Sequence, residues 1–356
     1  MEREAFRQAL REIYQRTLAQ APEQDGFQHS IHYFFDQYVE HPAWSIGPME
    51  QDQSLTFRKT AQWPDPTDTG WQSGFLFNPS LIEKDGKLFL FYRAAPKVET
   101  LCSRIGLAVY TPGQGWEDYA GNPVVYPQEE DEIYGVEDPK LYKLDDGYIL
   151  YYNGISAITP EIRAELESEG LQAPAVVCDV KAMFSRDLYH WERIGRVVPR
   201  EVSRYWAKAA VLPRSPNGVA VKIGGEYLMY LSEGCGGKLT VGRSSDGLHW
   251  DFSPVDYLPL GELGTIYEVA CAVTGHKANS DEMVLDVFYR RPDGSRAALQ
   301  VLYSTREPFT LRAINQGGTL SWGGLLQYQG KWIFAQGWDA RNGAEELYFY
   351  TAPATK

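Results

Sequence analysis

Hydrophobic and polar positions divide the chain at about residue 45. Before that point Phe6, Leu10, Ile13, Tyr14 and Leu18 recur at steps of three and four residues, followed by Ile31, Phe34, Phe35 and Tyr38. The pattern predicts an amphipathic helix over 2–20 and a second helix from Phe27 to Tyr38. Neither carries a chemical signature, so residues 1–45 read as a helical extension that braces the main domain or makes homo-oligomer contacts. Beyond it the chain breaks into short apolar runs separated by Gly, Pro, Asp and Asn, the signal of an all-β fold. One helical pattern interrupts these runs at 160–170, with Pro160 at its start and Gly170 at its stop.

A repeat runs beneath the strand pattern. GKLFLFYRAA (87–96), DGYILYYNGI (146–155), GEYLMYLSEG (225–234), EMVLDVFYRR (282–291) and GKWIFAQGWD (330–339) each pass from a turn into an apolar strand and out into aromatic and polar residues. Companion strands end alike, in FSRDLYHWERI (184–194), RSSDGLHWDFS (243–253) and, more weakly, YSTREPFTLRA (303–313). Their Trp residues are expected to pack between sheets, and His190 and His249 read as packing residues beside them. Five such units predict a five-bladed β-propeller over 46–356. The segments ahead of each repeat should then line the central channel: 77–83, 135–142, 206–213, 265–273 and 319–328.

Composition narrows the chemistry. The net charge of −13 comes without a basic stripe, which argues against nucleic acid as a partner. No apolar run approaches a membrane span, and the charged N-terminus lacks the apolar core of a signal peptide, so no membrane partner and a cytoplasmic protein are expected. Cys102, Cys178, Cys235 and Cys271 are scattered and read as buried free thiols. The six histidines form no HxxxH or HxH pair, and no metal or other cofactor is expected.

The sharpest local feature is GVEDPKLY at 135–142, where Glu137 and Asp138 stand side by side and Pro139 fixes the backbone. An acidic turn ahead of a hairpin reads equally well at this level. An inverting glycosidase needs one protonated and one ionised carboxyl, roughly 6.5–9.5 Å apart. Like charge and burial would raise the Asp138 pKa. Alternation along a strand would turn Glu137 away from Asp138, so the base is sought on other blades, at Glu233 or Glu268. Arg93, Arg104 and Lys208 are cations placed to bind sugar hydroxyls or phosphate. Trp206, Tyr267 and Trp338 read either as sugar-stacking rings or as packing.

These segments together resemble glycoside hydrolase family 130, whose members act on β-mannosides. The resemblance covers roughly 70–350 and rests on FNPSLIEKDGKLFLFYRA, on SRIGLA at 103–108, on GVEDPKLY against the family's GxEDPR, and on VKAMFSRDLYHWERIG. It implies a five-bladed propeller with Asp138 as the catalytic acid. By the same analogy Asn78, Arg93, Ser103 and Arg104 hold the glycone, with Glu137 as neighbour. Lys140 stands where the family has Arg, and a Lys gives a point charge in place of a bidentate fork. Many family phosphorylases carry a His-Arg pair at the end of the third-blade repeat, where this chain reads Leu231-Ser232-Glu233-Gly234, and a carboxylate there repels phosphate. Tyr289-Arg290-Arg291 replaces the family's Tyr-His-Gly, and Gly337-Trp338-Asp339 aligns loosely with its Gly-Ala-Ala-Asp, placing Asp339 near substrate. The reading is an inverting glycoside hydrolase acting on β-linked manno-oligosaccharides or related oligosaccharides. A β-mannoside phosphorylase using Arg93, Lys208 and Arg290, and a non-catalytic carbohydrate-binding propeller, stay open. A sucrose- or arabinan-directed propeller would need an Asp where Asn78 stands.

Overall fold

The computed structural model describes residues 3–21, 41–97, 100–277, 280–318, 322–337 and 345–354. The expected helix at 27–38, together with Trp338 and Asp339, lies outside them. The first helix, α1 (Arg3–Gln20), is present and buries Leu10 and Tyr14. Tyr14 enters the apolar cluster of Trp63, Trp71 and Tyr92, so the helix is fastened to the wall of the first blade.

Five antiparallel blades form the body. Blade one runs Phe75–Lys84, Lys87–Ala95, Arg104–Thr111 and Gly115–Asp118. Blade two runs Gly135–Lys143, Tyr148–Ala157, Val176–Ser185 and Glu192–Arg196, with helix α2 (Pro160–Ser168) inserted after its second strand. Thr159 caps α2 by accepting from the Ile162 amide. Blade three is broken up: Ala207–Lys208 pairs Glu233–Gly234, and Tyr227–Leu231, Thr240–Ser244 and Asp251–Pro254 form its outer part. Blade four runs Thr265–Thr274, Glu282–Arg290, Arg296–Ser304 and Ala313–Gln316. Blade five holds Gly324–Tyr328, Lys331–Gln336 and Glu346–Pro353. Its outer edge pairs with Glu50–Gln51 and Phe57–Arg58, so strands from near the N-terminus close the ring.

The middle strands of each blade are buried on both faces, which is why they read as continuous apolar runs. Aromatic residues near the outer strands join neighbouring blades. Trp191 meets Phe91 edge-on at 5.4 Å, Trp250 meets Tyr151 at 6.3 Å, and Phe309 meets Tyr230 at 6.1 Å. Trp116 joins blade one to Phe349 of blade five, a partner the repeat did not reveal. His190 and His249 differ from expectation. Their side chains are 85% and 89% exposed, and each ring bonds the Asp three residues earlier, so they cap the turn and the Trp does the packing.

The four cysteines are free and buried. Among the described residues no helix is long and apolar enough to cross a membrane, and no group of three or more His, Cys, Asp or Glu is placed to hold a metal ion.

Candidate active site

The innermost strands of blades one, two and four do not run as regular ladders. In blade two, Glu137 opposes Asn153 and Lys140 opposes Tyr151, so one residue is extra; in blade one the same occurs between Phe77 and Ser80. Asn78 and Asp138 sit at these bulges with left-handed backbones, φ 45° and 54°. Asn and Asp are the side chains that tolerate this conformation best after Gly. A further bulge lies between Ile266 and Glu268, at Tyr267. Bulges re-aim side chains, and here they turn polar groups toward the channel.

The result overturns the alternation argument. Glu137 and Asp138 do not diverge: Lys208 Nζ donates to Glu137 Oε2 at 3.0 Å and to Asp138 Oδ2 at 3.1 Å. From the other side Arg93 Nη2 lies 2.8 Å from Glu137 Oε1, and Arg93 Nη1 lies 3.5 Å from Asp138 Oδ1. Asn78 Nδ2 also donates to Asp138 Oδ1. Ser103 is fully buried and fixes Arg93 by accepting from its Nε at 2.7 Å, while Arg93 Nη2 donates to the Thr100 carbonyl at 3.0 Å.

Arg104 turns away from this cluster. It is 1% exposed, donates to the Cys102 and Ser103 carbonyls, and lies over the Trp71 ring at 5.6 Å. The register explains it: Arg104 faces Ala94 across the ladder, while Arg93 faces Ile105, so the two arginines leave opposite faces of the sheet.

Lys140 supplies an ion pair that the sequence did not foretell. Its Nζ lies 3.2 Å from Glu268 Oε1 and donates to the Ala270 carbonyl at 3.2 Å, tying blade two to blade four. The only sequence signal was a Lys where an Arg would fork. Glu233 stands directly opposite Lys208 in the short strand pair of blade three. The following Gly234 has φ 94°, and a Cβ there would fall 1.9 Å from the Trp206 carbonyl, so only Gly fits beside Glu233. Glu233 and Tyr267 line one groove of about 350 Å³, with Ser232, Lys238 and Ile266. Tyr267 packs edge-on to Phe288 and Trp322, with the guanidinium of Arg290 6.0 Å from its ring.

Proton affinities separate the acids. Burial pushes the Asp138 carboxyl up, but Lys208, Arg93 and the hydrogen bonds from Lys208 and Asn78 outweigh it and lower it to about 2. This reverses the expected raised value. Burial pushes Glu233 up to about 7; Lys208 opposes, and the charges of Glu268 and Asp138 add. Burial also raises Glu268, with Lys140 opposing. Lys208 is held well above its ordinary value, because Asp138 and Glu137 overcome the effect of burial. The site therefore holds an ionised Asp138, a Glu233 that titrates near neutrality and a Glu268 paired with Lys140. Acids whose environments drive their pKa values apart are what acid–base catalysis requires.

Comparison with known proteins places the chain. The family model of glycoside hydrolase family 130, described as beta-1,4-mannooligosaccharide phosphorylase, matches residues 67–271. A 1,2-beta-oligomannan phosphorylase from Thermoanaerobacter sp. (strain X514) is 28% identical over 162 residues, 44% of this chain and 48% of that protein. A beta-1,2-mannobiose phosphorylase of the same strain is 33% identical over 95 residues, 24% of this chain and 31% of that protein. The chain thus spans half or less of the length of these curated relatives. A solved structure from work on glycoside hydrolases of that family that target beta-1,2 mannosidic linkages in Candida mannan superposes with a TM-score of 0.65 at 18% identity, covering 90% of this chain and 99% of that one. At that identity the likeness carries the fold. The family match takes in blades one and two whole, crosses blade three and ends inside the first strand of blade four, and on that extent this chain belongs to glycoside hydrolase family 130.

Proposed function

We propose that the protein is an inverting glycosidase that hydrolyses β-linked manno-oligosaccharides, with Asp138 and Glu233 as the working carboxyl pair. The observation that carries the reading is Glu233: a carboxyl poised near pH 7, facing Lys208 across one strand pair. A general base works best with a pKa near the operating pH. The cluster around it also leaves little for phosphate. Arg93, Lys208 and Lys140 all pair with the carboxylates of Glu137, Asp138 and Glu268, and Glu233 adds a fourth acid beside Lys208. Glu268, tied to Lys140, tunes the field and leaves the base role to Glu233.

Asp138 is the proton donor and Glu233 activates water. Of the two acids Glu233 holds the proton more tightly, so sugar entry has to redistribute it. Lys208 is placed to do so, since it bonds Asp138 and faces Glu233. As sugar hydroxyls take over its bonds, a shift of the ammonium toward Glu233 lowers that acid and raises Asp138. Asn78, Arg93, Ser103 and Glu137 fix the glycone side of the cluster, with Arg104 supporting the wall from behind. Tyr267 forms the opposite rim. Trp338 and Asp339, beyond the described residues, complete the proposed sugar contacts.

The test is turnover of β-1,2- and β-1,4-mannobiose with and without inorganic phosphate. Free mannose released at a phosphate-independent rate is expected. Mannose 1-phosphate formed only when phosphate is present would replace hydrolysis by phosphorolysis, the reading favoured by the two curated relatives and by Arg290 at the rim.

A further inference from the structure

Glu233 is held by a neighbour with an unusual backbone. Trp206 lies against the Glu233–Gly234 strand: its carbonyl accepts from the Cys235 amide at 2.9 Å, a Cβ on Gly234 would meet its indole Cδ1 at 2.7 Å, and the indole favours the charged form of the Glu233 carboxyl. Lys208 lies 5.5 Å from the same ring. Immediately before it, Arg204 and Tyr205 are consecutive left-handed residues, φ 48° and 66°. Helices commonly end in this conformation, but on Gly. Two non-Gly residues in sequence store strain and persist only where their surroundings enforce it.

The surroundings are the insertion helix α2 and its exit. Arg204 Nη2 lies 3.1 Å from Glu165 Oε1 and 2.5 Å from Glu169 Oε1. Tyr205 Oη donates to Glu165 Oε2 at 2.6 Å. The Arg204 stem also packs under the loop after Glu233: a Cβ on Gly236 would meet Arg204 Cγ at 3.3 Å and the Leu171 side chain at 3.6 Å. A glycine pair would take this turn without strain. Arg and Tyr stand there because their side chains reach α2.

We propose that α2 is a positioning element for Glu233: Glu165 and Glu169 clamp the Arg204–Tyr205 turn, and the turn sets Trp206 against the Glu233 carboxyl. The inserted helix, part of blade two, thereby sets the geometry of the base on blade three. The proposal rests on Glu233 being the working acid, but the clamp itself is a structural claim. Lys208, Asp138, Glu268 and Tyr267 are the other groups that face Glu233, and none of them is touched by the clamp.

The decisive experiment follows the Glu233 carboxyl directly, by 13C NMR titration of glutamate-labelled protein, assigned by loss of the signal in Glu233→Gln. Trp206→Phe removes the indole N–H that favours the charged carboxylate and is expected to move the midpoint to higher pH by about one unit. The double variant Glu165→Ala/Glu169→Ala keeps a good helix former at position 165 of α2 and is expected to move it in the same direction. The falling limb of kcat/KM should shift with it. An unchanged midpoint in the double variant, with Trp206→Phe shifted, overturns the clamp. An unchanged midpoint in Trp206→Phe overturns the Trp206–Glu233 link. Because the titration needs no substrate, a shifted midpoint in a protein that turns over no mannoside would refute the proposed activity and leave the clamp standing.

Discussion

Glu137 and Asp138, neighbours in sequence, each place one carboxylate oxygen on the same ammonium, Lys208 Nζ, at 3.0 and 3.1 Å. Adjacent residues of a regular strand cannot do this, because their side chains leave opposite faces. The bulge at Asp138 makes it happen, and the shared cation makes it tolerable.

Removing that cation should be costly twice. Lys208→Met leaves two buried carboxylates facing one another with only Arg93 between them. Breaking a buried pair costs about 3 kcal/mol, to be read by urea denaturation at pH 7. Loss of preorganised charge is expected to lower kcat by about 100-fold. Wild-type turnover in Lys208→Met would remove the ammonium from the mechanism.

Stability and activity should trade at Glu233. Its folded pKa of about 7 lies above the ordinary 4.5. The folded protein therefore binds the extra proton between those values. Stability is full below about pH 4.5, declines as pH rises, and carries the whole cost above 7. Glu233→Gln removes that cost: it is expected to gain about 2 kcal/mol at pH 8.5 and little at pH 5, while hydrolysis is lost. Equal effects at both pH values would contradict a titrating, buried Glu233.

The pH dependence of kcat/KM reports the free protein. The carboxyl pair needs one proton in total, and in the free protein that proton is on Glu233. Activity is therefore expected to be level through mildly acid pH and to fall as pH rises through about 7. A rate that climbs through pH 7 would show that catalysis needs no proton on the pair.

Roles within the pair separate by leaving group. A proton donor matters least when the leaving group needs no proton. Asp138→Asn is expected to lose mannobiose hydrolysis yet retain turnover of a dinitrophenyl β-mannoside, whereas Glu233→Gln loses both. The opposite pattern would exchange the two roles.

Ring closure is testable away from the site. Phe57 is 1% exposed, packs against Tyr92 and Trp116, and belongs to the strand that pairs with the last strand of blade five. Phe57→Ala is expected to cost about 3–5 kcal/mol, seen as a lower denaturation midpoint. Substitution without effect would mean that the N-terminal strands only decorate the ring.

Much of this was legible in the chain itself. The turn-then-apolar-strand repeat marked five blades, because each blade solves the same burial problem with the same local pattern. The Ser-x-Asp turns at 185–187 and 244–246 announced strand ends through bonds between residues two or three apart. EDP marked where the acids would be, and Glu233 and Glu268 were visible as acids on or beside the channel-lining segments of blades three and four.

What the residues in order could not state is where those side chains would point. Alternation predicted that Glu137 would leave Asp138, and a single bulge reversed it. Arg93 and Arg104 both looked like sugar-binding cations, and register sent one to the acids and the other behind the wall. Lys140 looked like a weakened Arg, and the closed ring made it the partner of Glu268, 128 positions away. Proton affinity was least legible of all, since it depends on burial and on charges delivered by other blades. Sequence alone determined the propeller and its acidic centre, because periodicity and turn chemistry are local. The tertiary structure alone decided which acid is ionised, which is poised and which is neutralised, because those properties exist only once five distant strands meet around one channel.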